Sequence, residues 1–195
     1  IESVSKEPRQ SCDGTDRMAM SGQEGPGPIT SLLAADHRRL DELLRSAAAR
    51  VDQIDQSIYD QFRVGLLRHI GMEEKLLMPA VQRWRGSEPL SLAAKLRLDH
   101  GALATLLMPT PTAQILATIR RILSAHNHIE EGPDGLYALC DQLPETERKR
   151  LWDALQEAPA VNVMRHSDSP AVMKTLEGAL ARAGYRLAPL EDEQS

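Results

Sequence analysis

His69 and Glu73 stand four residues apart in the stretch Arg68-His69-Ile70-Gly71-Met72-Glu73-Glu74. On a helix that spacing sends an imidazole and a carboxylate from the same face toward one point, which makes the pair a two-ligand metal clip. Phe62, Leu66, His69, Glu73, Leu76 and Ala80 fall on a single stripe, so both polar groups are aimed at a core. A carboxylate buried there without a partner is costly, and a metal or another charged group has to meet it.

The clip is written twice. His69 to Glu73-Glu74 recurs as His126 to Glu130-Glu131, and Asp36-His37-Arg38-Arg39-Leu40 recurs as Asp99-His100-Gly101-Ala102-Leu103. A repeated helix pair folded as an antiparallel bundle with short loops converges one His from each of four helices and one Glu from each of two. The candidate ligands are therefore His37, His69, Glu73, His100, His126 and Glu130. Six mixed nitrogen and oxygen donors are too many for one tetrahedral structural zinc and too nitrogen-rich for calcium or magnesium. Two transition-metal ions bridged by the carboxylates fit better.

The elements that must position these groups are legible as periodic stretches. Thr30 or Ser31 caps a first helix that carries Leu33, His37, Leu40 and Leu44 and runs to about Val51. A second helix starts near Asp55 or Ser57 and ends around Trp84, with a bend at Pro79. A third, capped by Ser87, shows Ala93, Leu96, His100, Leu103 and Leu107 on one face before Pro109 and Pro111 stop it. The fourth starts near Thr112, presents Ile119, Ile122, His126, Ile129 and Glu130, and is interrupted by Gly132-Pro133-Asp134-Gly135. The predicted fold is all-α, an up-down-up-down four-helix bundle over residues 29–143. Residues 1–28 read as a flexible tail, and 144–195 as a helical hairpin extension built from Glu145 to Glu157 and Ser169 to Ala183, plus a tail.

Composition narrows the function classes. With 42% hydrophobic residues and 3% aromatics, Leu and Ala dominate, which favours helices packed on helices. A net charge of -5 gives no electrostatic reason to expect nucleic acid, and the basic run Arg148-Lys149-Arg150 lies beside Glu145 and Glu147 as a solvated face. No apolar run reaches membrane-spanning length and no signal-peptide core is visible, so a cytoplasmic protein without membrane or nucleic-acid partners is expected. Cys12 and Cys140 make no disulfide framework and no paired-thiol metal motif. His128 belongs to a polar face, and His166 matches no ligand spacing. Asp36, Asp99, Glu74 and Glu131 read as caps, salt-bridge partners or groups that orient a ligand, and Met72, Met78 and Met108 as core filler.

In the order DHxxL, HxxxEE, DHxxL, HxxxEE, the chain resembles the hemerythrin-like, HHE cation-binding family over about residues 30–143. The resemblance implies a non-haem di-iron centre, oxo- or hydroxo-bridged, held by His37, His69, Glu73, His100, His126 and Glu130. Two departures stand out. Oxygen-carrying members place another His one turn after the third-helix ligand, where this chain has Ala104. The fourth motif also departs from HxxxEExxLYP, since Gly132 to Gly135 lengthens the gap before Leu136-Tyr137 and Ala138 replaces the proline. Pro133 disrupts the turn reaching back to Ile129, which bears on where Glu130 sits.

The resemblance and the absence of any Ser-His-Asp order, phosphate-cradling loop or activated cysteine leave the function to the metal pair. The first expectation is a protein that binds or senses oxygen, nitric oxide or iron redox state, with a small diatomic ligand or a peroxide as its partner. The other is a di-iron enzyme acting on peroxide or nitric oxide, or an iron donor for iron-sulfur cluster repair. The C-terminal hairpin is expected to cover the bundle or to contact a protein partner.

Overall fold

The structure, a computed structural model, describes residues 25–50, 53–86 and 88–189. It is all-helical: α1 Pro28–Ala47, α2 Gln56–Met72, a π-helical turn Glu73–Leu77, α3 Met78–Arg85, α4 Ala93–Leu106, α5 Ala113–Glu131, α6 Leu136–Asp141, α7 Glu145–Gln156 and α8 Pro170–Ala183. No strand is present among the described residues, only an isolated bridge between Arg50 and Gln53.

Two apolar clusters form the interior, and the polar candidates lie between them. One gathers Leu40, Leu44, Phe62, Leu66, Leu103, Ile119 and Ile122, and the other Ile29, Leu33, Leu77, Met78, Val81, Leu96 and Leu136. Along α1 and α4 the chain passes from the Leu33 cluster through a His to the Leu40 cluster, and along α2 and α5 it returns in the opposite sense. Each fully buried leucine contributes about 1.5–3 kcal/mol relative to leaving it in water, so the apolar layers fix the register of the histidines between them.

The first helix starts earlier than its side chains suggest. Gly27 is its N-cap without a side-chain bond, and Pro28 sits at the first helical position, where its missing N–H costs nothing. The free amides of Ile29 and Thr30 and the Thr30 hydroxyl all donate to the Asp141 carboxylate of α6, at 2.9, 3.0 and 2.7 Å. A Cβ on Gly27 would collide with that carboxylate. Thr30 thus lies inside the first turn rather than capping it. At the other end α1 stops at Ala47, whose carbonyl accepts from the Asp55 amide at 2.8 Å as the loop folds back. The expected end at Val51 lies outside the described residues.

Asp55 caps α2 by accepting from the Ile58 amide at 3.1 Å, Thr112 caps α5 and Ser169 caps α8, as their sequence positions predict. Ser87 lies outside the described residues, and α4 begins at Ala93 after Leu92 with no side-chain cap. The expected bend at Pro79 takes the form of the π turn immediately before it, in which the Met78 amide reaches back five residues to the Glu73 carbonyl. Pro79 offers no N–H to continue the ordinary ladder, and the widened turn absorbs the defect. One extra residue in that turn advances the apolar face, so Leu77 is fully buried where Leu76 was expected.

The two C-terminal helices join different parts of the bundle. Leu151 and Leu155 of α7 belong to the Leu33 cluster, whereas Leu176 and Leu180 of α8 belong to the Leu40 cluster, with α8 lying along α4. Arg63, buried, pins the connection between them by donating to the carbonyls of Leu107 and Met164 at 3.1 and 2.8 Å. Gly184 closes α8 in the left-handed region at φ 84°.

Replacing Asp141 with Ala removes the acceptor for three donors at the start of α1. The expected loss is about 1–3 kcal/mol in urea or thermal unfolding. An unchanged midpoint would show that water caps α1 equally well.

Candidate metal centre

Between the apolar layers, His37 comes from α1, His69 from α2, Glu73 from the π turn, His100 from α4, and His126 and Glu130 from α5. All six are buried, and the two glutamates have no solvent exposure. They form two groups that share the glutamates: His37, His69, Glu73 and Glu130 in one, and Glu73, His100, His126 and Glu130 in the other, with the donor atoms of each group within 4.8 Å of one another. The structure thus brings together every candidate ligand named from the sequence.

The carboxylates are turned between the pairs. Glu73 directs Oε1 to His69 Nε2 and Oε2 to His100 Nε2, both at 3.1 Å. Glu130 directs Oε1 to His126 Nε2 at 3.1 Å and Oε2 to His37 Nε2 at 3.4 Å. Pro133 does not disturb this, because α5 ends at Glu131 and the proline falls beyond the cap residue Gly132.

The other ring nitrogen of each histidine meets a carboxylate. His37 Nδ1 donates to Glu131 at 2.6 Å, His69 Nδ1 to Asp36 at 2.9 Å and His100 Nδ1 to Glu74 at 2.8 Å. His126 Nδ1 faces Asp99 at 3.5 Å, an ion-pair distance longer than a good hydrogen bond. Since an ionised carboxylate only accepts, these contacts put a proton on Nδ1 and direct Nε2 inward. The Asp of each DH motif serves the His of the next helix within its own repeat. The second Glu of each EE pair serves the other repeat, Glu74 holding His100 and Glu131 holding His37. A third tier follows: Asp36 accepts from Arg39 at 2.8 Å, and Asp99 accepts at 2.6 Å from Lys95, which also donates to the Ala183 carbonyl and the Tyr185 hydroxyl near the end of α8.

This donor set fits a cation. Glu73 Oε2 and Glu130 Oε1 are buried without a well-aligned hydrogen-bond donor, although imidazole nitrogens lie 3.1 Å away. His100 Nε2 and His126 Nε2 face each other at 3.1 Å. Such convergence of inward-facing nitrogens and orphaned carboxylate oxygens calls for positive charge at its centre.

Protons answer part of that call in the metal-free protein. Burial alone would lower His69, but the Glu73 charge and the Asp36 hydrogen bond outweigh it and raise it to about 10. His100 is raised to about 10 against the same burial by the nearby carboxylates of Glu130 and Glu73. Asp36 is lowered to about 2, its burial overcome by His69 and Arg39. Glu73 and Glu130 are both held below the usual carboxylate range despite burial, Glu73 chiefly by the His69 charge and Glu130 by the imidazoles of His100 and His126.

The Hemerythrin HHE cation binding domain family matches the chain over residues 29–139. The chain belongs to that family. No curated protein and no solved structure matches it. Within the hemerythrin domain, the sequence alone missed two things. The π turn under Glu73 and Glu74 breaks the ordinary helical period, and Pro79 is its one signal in the sequence. Tyr137 belongs to the lengthened motif, beyond the end of the helical period, yet its hydroxyl lies in the group of His37 and His69. His128 is exposed, and His166 lies by Tyr59 and Gln56, away from the centre. Cys140 is buried, and burial raises its thiol far above the range of a nucleophile.

Two outcomes are expected. Asp36→Asn or Glu131→Gln should leave the helical content intact and weaken divalent metal-ion affinity about 10- to 100-fold in titrations; unchanged affinity would remove the orienting role. A histidine raised in the fold stabilises it fully below its ordinary 6.5 and loses that contribution as pH climbs through about 10. Asp36 contributes above its ordinary 3.8 and loses the contribution as pH falls toward about 2. The Tm of metal-free protein should therefore decline from about pH 6.5 to about 10, while metal-ion uptake, which needs neutral imidazoles, strengthens. A flat Tm across that window would contradict the charge balance.

Proposed function

We propose that this chain is a non-haem di-iron protein that binds or senses oxygen, nitric oxide or iron redox state. The carrying observation is that Glu73 and Glu130 each turn one oxygen toward His37 and His69 and the other toward His100 and His126. Two carboxylates shared in this way suit two ions, and the imidazole-carboxylate donor set suits iron. His37, His69, Glu73 and Glu130 would hold one ion, and His100, His126, Glu73 and Glu130 the other. Iron bound there supplies a redox-active Lewis acid able to take a small diatomic ligand or a peroxide.

The protein side of this reading lies in what the residues do. The apolar layers exclude bulk water, and Glu131, Asp36, Glu74 and Asp99 keep the Nδ1 protons on the outside. A groove of about 310 Å³ between α1 and α5 reaches His37 and Glu131 from the surface. The alternating sense of α1, α2, α4 and α5 between the clusters supports an up-down-up-down bundle as the frame. The packing of α7 and α8 on that frame favours a covering role for the C-terminal helices. A cytoplasmic setting completes the reading and rests on composition; among the described residues no helix is long and apolar enough to cross a membrane.

Metal content per chain and visible spectra taken in air, after anaerobic reduction and after re-exposure to oxygen test the proposal. About two irons and a charge-transfer band that returns reversibly with oxygen are expected of a binding protein. Iron that oxidises irreversibly would favour a sensor, and turnover of peroxide would favour the enzyme reading. Protein that takes up no iron after anaerobic reconstitution would overturn the proposal.

A further inference from the structure

Tyr137 Oη lies 2.6 Å from Glu73 Oε1, 2.9 Å from His37 Nε2, and 3.1 Å from both His69 Nε2 and Glu130 Oε2. Around a cation with ligand distances of roughly 2.1 Å in near-octahedral geometry, neighbouring ligand atoms stand about 3 Å apart. The phenol oxygen is therefore spaced from all four donors of this half-site as a fifth ligand of the same ion would be. In the metal-free chain the hydroxyl donates to Glu73 Oε1 and accepts from protonated His69 Nε2. Once both rings are neutral, with Nδ1 of His37 and His69 donating outward, Nε2 offers only lone pairs, and four acceptors then face a hydroxyl that carries a single proton.

The chain reaches this arrangement through the segment that departs from the family pattern. Gly132 to Gly135 turn back at the end of α5, with the Gly135 amide bonded to the Gly132 carbonyl at 2.8 Å. Gly135 packs so closely on the Glu130 carbonyl that a Cβ there would collide with it. That close return starts α6 beside the site and delivers Tyr137, fully buried, between Glu73 and Glu130. Among the described residues the His100 and His126 half-site has no counterpart, and Ala104 stands one turn beyond His100.

Resting on the di-iron reading, we infer that Tyr137 is a metal ligand whose phenolate oxygen caps the ion held by His37, His69, Glu73 and Glu130. On binding, the phenol O–H bond breaks, the oxygen pair is shared with the ion and the proton leaves to the buffer. The two half-sites are then unequal, with five protein donors at one and four at the other, and the free coordination positions belong mainly to the ion at His100 and His126.

The test is iron loading of the full chain followed by oxidation, read by iron content, visible absorption and resonance Raman. Native protein with about two irons should show a phenolate-to-iron(III) charge-transfer band, with tyrosine ring modes that shift when ring-deuterated tyrosine is incorporated. Tyr137→Phe should keep its helical content and its iron and lose the band. Of the other tyrosines, Tyr59 stacks on Phe62 and His166, and Tyr185 is bound to Lys95, so neither supplies that signal. Two irons in the native chain without phenolate modes, or a band that survives in Tyr137→Phe, would overturn the inference. Should the variant fail to fold, the isotope shift in the native chain decides alone. Failure of the native chain to bind iron would instead overturn the di-iron reading on which the inference rests.

Discussion

Two carboxylates without access to water, Glu73 and Glu130, are the constraint on which the rest depends. Removing a carboxylate from water carries an effective penalty of several kcal/mol even after relaxation. The apolar layers impose that penalty, because Leu33, Leu77 and Leu96 close one side and Leu40, Leu66, Leu103 and Ile122 the other. The Tyr137 hydroxyl meets one oxygen of each, and positive charge at the centre has to offset the rest. Imidazolium groups do so in the metal-free chain, and they occupy the directions from which the same nitrogens would bind an ion.

The orienting carboxylates bind the two repeats into one unit. Asp36 and Asp99 each act within a repeat, whereas Glu74 and Glu131 each act across to the other. Neither helix pair completes its own set of oriented histidines, so the centre is a property of the assembled bundle. Consecutive glutamates can serve separate tasks because one pair lies in a widened turn and the other on the last turn of α5. The first of each pair faces the centre, and the second holds a histidine from outside. Lys95 carries the chain of contacts onward from Asp99 to the end of α8, which ties the C-terminal helix to the His126 side.

Much of the site was legible because its signals are local. A His and a Glu one turn apart on an apolar stripe need no tertiary information, and the repeat supplied the pairing between stripes. What escaped depended on contacts distant in sequence or on a broken period. The cap of α1 is Asp141, which lies 111 residues beyond Thr30, and no local pattern announces it. The π turn moved the buried position from Leu76 to Leu77 because a fixed period of 3.6 cannot register one inserted residue. Tyr137 stood behind the Gly132 to Gly135 turn, where helical periodicity could no longer say which way a side chain points. The hairpin expected at the C-terminus overlooked that Leu151 and Leu176 serve two separate apolar clusters.

The central claim is that Glu73 and Glu130 join two ions into one centre, and Mössbauer spectroscopy of iron-loaded, oxidised protein tests it most directly. A bridged pair should give about two irons per chain with spectra of exchange-coupled ferric ions and no net magnetism at low temperature. A single iron, or irons with the magnetic splitting of isolated ferric ions, would contradict it.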